Sequence, residues 1–111
     1  KRFLLILILL SSIALSDVAG TNKPITPNRL PRTSQQFLRQ NFPYAIPIDT
    51  QRTNKGYSVL LNELIYIDFD QRGRWTYIHS PNGVPDRTIP INIKIYLSQH
   101  HENQTIIRIQ R

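Results

Sequence analysis

Between Leu30 and Phe42 apolar positions fall three and four residues apart, and after Phe42 they fall two apart. Leu30, Ser34, Phe37, Leu38 and Phe42 share one face at helical spacing, which predicts a helix over 33–40. Pro31 suits a first helical position, where the N–H has no intrahelical partner. Pro43 ends the helix, because the residue before a proline avoids the helical region. The alternation that follows predicts strands over 44–50, 57–61, 65–69 and 74–79, with Pro47 marking the first as an edge strand. Polar loops separate them. In Asp70-Gln71-Arg72-Gly73 the glycine can take the positive φ that closes a hairpin through a bulge.

The pattern then restarts at an offset of 59 residues. Leu30-Pro31 recurs as Ile89-Pro90, Phe37-Leu38 as Tyr96-Leu97, and Ile48 as Ile107. Ile91, Ile93, Ile95 and Leu97 alternate and would suit a strand; the repeat argues for a helix instead. Residues 105–110 are again strand-like. The order helix, four strands, helix, strand predicts an α+β fold: a helix packed on a four-stranded antiparallel sheet, with the start of a second α-β repeat. The units run 30–88 and 89–111, the second incomplete, as in a fragment of a longer product. Residues 21–29, with Pro24, Pro27 and two asparagines, read as a linker.

Residues 1–20 combine a basic start, an unbroken apolar run over 3–10 and small residues at Ala14-Leu15-Ser16 and Val18-Ala19-Gly20. That is a secretory signal peptide, and the run falls short of a membrane span. With no cysteine, disulfides and thiolate sites are excluded, and an exported domain without disulfides suits a periplasm. The chain carries +7, of which residues 1–20 hold two basic groups and one acidic one, leaving +6. The basic residues stand singly rather than in tracts, which reads as a solvated surface and not a nucleic-acid site. An envelope polyanion, such as lipopolysaccharide phosphate or an acidic glycan, is the alternative partner, and a structural repeat of a larger envelope protein the alternative role.

No converging catalytic set emerges. His100-His101 close the second helix, where cations meet the negative end of the helix dipole. Asp68 and Asp70 share a strand face, but Asp70 is placed to bond its own turn backbone. The string from Asp68 to Gly73 is too short for a calcium loop. No metal, cofactor or enzymatic activity is expected. The sheet is more informative. If Asp70 pairs with Arg74 across Gly73, Phe69 faces Trp75 and Ile67 faces Tyr77, and these join Ile65 as core. The opposite face carries Leu60, Leu64, Tyr66, Thr76 and Ile78, with Arg74 at its rim. Apolar residues on both faces predict a covering partner. Leu64, Tyr66, Arg74, Thr76 and Ile78 are therefore the candidate partner-binding residues, and an unidentified periplasmic protein the expected partner.

Leu30-Pro31, Phe37-Leu38, Asn41-Phe42-Pro43, Tyr57-Ser58-Val59, Ile67-Asp68-Phe69-Asp70, Gly73-Arg74-Trp75 and Ile89-Pro90 also fall in a familiar order. Together, over about residues 29–111, they resemble the PepSY-like, β-lactamase-inhibitor-protein-like domains of the Gram-negative periplasm. The resemblance implies a helix across a four-stranded antiparallel sheet, often in tandem, and a non-enzymatic role in binding or restraining another protein. The family usually has Asn-Gly where this chain has Asn62-Glu63, so Glu63 is expected to strain or lengthen that hairpin.

Overall fold

The computed structural model describes residues 22–101 and 103–111; the signal-peptide reading of residues 1–20 lies outside them. Six strands form one antiparallel sheet in chain order: β1 (Lys23–Pro24), β2 (Pro47–Arg52), β3 (Gly56–Leu61), β4 (Tyr66–Asp70), β5 (Trp75–His79) and β6 (Arg108–Gln110). Two helices, α1 (Arg32–Asn41) and α2 (Ile91–His100), interrupt the strand order. The α+β class is as expected, but the sheet has six strands, not four. Residues 23 and 24, read as linker, pair with Arg52 and Gln51. At the far edge β6 lies against β5, with Tyr77, Ile78 and His79 opposite Gln110, Ile109 and Arg108. Both additions cover strand edges whose N–H and C=O groups would otherwise lie open.

α1 starts one residue later than a proline at its first position would require: Pro31 is the N-cap, with extended ψ of 150°. The helix packs where the sequence pattern put it. Leu30 and Ser34 are buried, and Phe37, Leu38 and Phe42 lean on a core of Val59, Leu61, Ile67, Phe69, Ile78 and Val84. The Phe37 ring meets Phe69 edge-on at 6.0 Å and tilts over Trp75 at 6.5 Å. Each large side chain buried here contributes roughly 1.5–3 kcal/mol. The helix start sits directly on the β4–β5 turn, and the buried Ser34 hydroxyl donates to Gly73 O at 2.9 Å. A Cβ at residue 73 would lie 2.7 Å from Pro31 Cβ and 2.8 Å from Ser34 Oγ, and φ there is +87°. Glycine is therefore needed both for the turn and for the close approach.

α2 is a helix, as the repeat argued and the alternation did not. None of its residues is buried. Lys94 Nζ ties it to the preceding turn by pairing with Asp86 at 2.8 Å, and within the helix the Tyr96 ring stacks on His100 at 4.2 Å. No described helix is long and apolar enough to cross a membrane.

Candidate interaction face

Alternation along β3 and β4 sends Val59, Leu61, Ile67 and Phe69 to the core and leaves Ser58, Leu60, Tyr66 and Asp68 on the opposite face. Asp70 N donates to Arg74 O, as the hairpin reading requires, and Phe69 lies opposite Trp75. The next pair breaks the expected register. Asp68 lies opposite Tyr77 and Ile67 opposite Ile78, so Thr76 is the extra residue of a β-bulge. The bulge exchanges two assignments. Ile78, expected on the open face, is fully buried in the core, and Tyr77, expected in the core, joins the open face.

Tyr77 thereby meets Tyr66, their rings edge-on at 6.1 Å. The Tyr66 hydroxyl donates to Asp68 Oδ1 at 2.7 Å. Partial burial, together with this bond to a carboxylate, pushes the Tyr66 phenol up to about 12. Leu60 lies opposite Tyr66 on β3, and His79 opposite it on β5, where Arg108 Nε reaches His79 Nδ1 at 3.4 Å. A groove of about 700 Å³ opens beside the pair, lined by strand and loop residues that include Lys55, Asp68, Asp70, Thr76, Tyr77 and Gln110.

The other expected site residues are scattered. Thr76 is half-buried, and its hydroxyl donates to Asp68 O at 3.3 Å. Arg74 is exposed at the rim and bonds Asp70 through Nε at 3.2 Å. The Asp70 carboxylate also accepts from the backbone N–H groups of Arg72 and Arg74, each at 2.9 Å. Chiefly the Arg74 N–H, with these other donors, lowers the Asp70 pKa. Leu64 lies off the face, at the β3–β4 hairpin tip. It is 72% exposed, and both it and Glu63 have φ of 62°. The expected strain at Glu63 thus extends to a second residue. Tyr44 and Ile46 are exposed as well, and Asn62 N donates to Ile46 O, which ties their loop to the same tip.

Sequence reasoning missed Tyr77, and strict alternation had no signal for it. The Tyr66–Asp68 bond was open to inference, because residues two apart on a strand share a face. At the β6 side, Arg111 lies over the Trp75 ring at 4.2 Å and donates through Nε to Trp75 O. Among the described residues, no three His, Cys, Asp or Glu side chains gather as metal ligands would. The arrangement offers aromatic area, hydroxyls and a few charges.

The chain is similar to several solved proteins that are described as periplasmic. One from Bacteroides thetaiotaomicron, described as "putative calcium-regulated", is 24% identical with a TM-score of 0.76, over 81% of this chain and 75% of that one. A second, from Bacteroides vulgatus, is 27% identical with the same TM-score and the same shares. A third, also from Bacteroides vulgatus and of unknown function, is 22% identical with a TM-score of 0.74, over 81% and 77%. These likenesses show a shared fold. No curated protein matches the chain. Residues 55–111, which hold β3 to β6 and α2, match the family model described as "Putative beta-lactamase-inhibitor-like, PepSY-like", and the chain belongs to that family.

Proposed function

We propose that this protein is a non-catalytic, exported binding module that works in the periplasm and captures a protein partner on the open sheet face. The observation that carries this reading is the edge-on pair Tyr66–Tyr77, held on a sheet face by the bond to Asp68 rather than packed in the core. Aromatic rings of this kind bury much area with few rotatable bonds, as interface anchors do. The contact residues are Leu60, Tyr66, Thr76 and Tyr77, with Arg74 at the rim. Leu64 contributes from the β3–β4 hairpin tip when the partner reaches beyond the start of β4. The inhibitor-like description of the family supports restraint of an envelope enzyme or peptidase as the use of this binding, and the periplasmic neighbours support the address.

The test is capture from a periplasmic extract by the native chain and by Tyr66→Glu, each at low and physiological salt. A stoichiometric protein held at both salts by the native chain alone supports the reading. Equal capture by the variant removes the face assignment. Recovery of acidic polymers that are lost as salt rises replaces it with the polyanion reading, because neutralising phosphates releases counterions.

A further inference from the structure

We infer that the partner presents an arginine to the open sheet face, where its guanidinium pairs with the Asp68 carboxylate and lies against the Tyr77 ring. This rests on the protein-binding reading above and names the chemistry at its centre. The carboxylates of the described residues divide three ways. Asp70 and Asp86 are paired, with Arg74 at 3.2 Å and Lys94 at 2.8 Å. Asp49 and Glu63 are exposed, and water solvates them. Asp68 alone is half-buried without a cation partner among the described residues. A carboxylate partly withdrawn from water costs free energy unless an opposite charge or several donors face it. Asp68 has one such donor, the Tyr66 hydroxyl on Oδ1 at 2.7 Å, and among the described residues Oδ2 has none.

The surroundings of Asp68 select the kind of cation. Register places Ser58 on one side of it and Tyr77 on the other, and the groove of about 700 Å³ opens the site to solvent. A guanidinium is planar, donates to a carboxylate through a fork and stacks on an aromatic face, whereas an ammonium is a compact point charge. The protein makes the ring contact twice with its own arginines: Arg52 lies over Tyr57 at 5.8 Å and Arg111 over Trp75 at 4.2 Å. Among the described residues, the Tyr66–Tyr77 pair beside Asp68 carries no such cation. The protein's nearby cations are engaged elsewhere, Arg74 with Asp70 and Arg108 with His79. Lys55 lines the groove but is exposed and pairs with neither aspartate. Because the chain carries +7 overall, a broadly basic partner would be repelled. The guanidinium is therefore expected singly, on a partner surface otherwise neutral or acidic.

The test follows backbone amide shifts by NMR while the chain is titrated with a capped glycine peptide that carries arginine at its centre. Saturable shifts should appear at residues 66–68 and 76–78, with a Kd of about 1–10 mM, as one isolated contact allows. The same peptide with citrulline, which keeps the shape and loses the charge, should bind at least about tenfold more weakly. The arginine peptide should lose as much on Asp68→Asn, whose amide oxygen can still accept from Tyr66. The absence of saturable shifts at those amides up to about 50 mM peptide overturns the inference. Equal binding of citrulline, or equal binding to Asp68→Asn, overturns it as well. Equal binding of a lysine peptide would make the site one for any cation and overturn the guanidinium. The face itself is judged separately, by capture with Tyr66→Glu. If that variant loses the partner while Asp68→Asn keeps it, the binding face stands and the arginine contact falls.

Discussion

Ser34 and Ile93 hold the same place in two helices 59 residues apart, yet the serine is sealed and the isoleucine is 42% exposed. Polarity alone would reverse that order. What decides it is the sheet beneath each helix. α1 lies over the β4–β5 hairpin, where Gly73 lets backbone approach Ser34 and Phe37 reaches Phe69. α2 has Ile91, Ile93, Ile95 and Tyr96 exposed on several sides. Apolar residues spread around a helix, rather than gathered in one stripe, need cover from other elements. Burial here follows from what each helix is given to rest on, not from its composition.

The sharpest way to break this comparison is to cut the same place in both helices. Phe37→Ala should destabilise the fold by about 3 kcal/mol, as truncation of packed aromatics does. Tyr96→Ala should stay within about 0.5 kcal/mol, as substitutions outside a packed core do. Urea unfolding of the two variants measures both. Equal losses would mean that α2 is as firmly packed as α1.

A smaller effect probes the close approach itself. Ser34→Ala removes the donor to Gly73 O and leaves a buried carbonyl without its partner, at a cost of about 1–3 kcal/mol. Ile93→Ala, at the equivalent place, should change the thermal midpoint far less. A Ser34→Ala protein as stable as the native one would show that the bond to Gly73 does not fasten α1 to the hairpin.

Much of the stretch from Leu30 to His79 was legible because one period dominated each element. The helical spacing from Leu30 to Phe42 and the alternation in 57–61 and 65–69 each point one way, and the structure follows both. Three features were not legible. Thr76 carries a bulge, and a bulge inserts a residue without disturbing the apolar pattern, so Tyr77 and Ile78 exchanged faces. β1 is two residues long and contains a proline, and such a strand exists through its pairing with β2 rather than through propensity. β6 was legible as a strand, but its place beside β5 is a matter of topology, on which local pattern is silent. The candidate face suffered most, because Tyr66 alone is central to it as expected, while the partner ring came from the misassigned strand.

The hairpin tip offers a change of opposite sign. Leu64 and Glu63 both sit at φ of 62°, a region that costs a residue with a side chain about 1–2 kcal/mol. That strain is tolerated because Leu61 N donates to Ile65 O across the tip at 2.8 Å. Leu64→Gly removes the steric cost, while the extra freedom of glycine in the unfolded chain returns roughly 0.5–1 kcal/mol. A net gain of about 0.5 kcal/mol should appear as a slightly higher thermal midpoint. A fall would mean that the exposed leucine makes contacts that outweigh its strain.

The smallest effect concerns a single proton, and it asks whether the sheet is rigid on its open face as well as beneath α1. The Tyr66 phenol is raised from 10.0 to about 12, first by partial burial and then by its bond to Asp68. Because the folded value lies above the unfolded one, the neutral phenol is the form that folding favours. Its stabilising contribution is complete below pH 10 and is lost as pH rises through about 12. Absorbance titration near 295 nm should show one tyrosine ionising last, and Tyr66→Phe should remove that step alone. Asp68→Asn should bring the step down only part of the way, since the burial that is the larger cause stays in place. If the step lost in Tyr66→Phe lies near 10, the ring is free in solution, and the open face of the sheet is then as loosely held as α2.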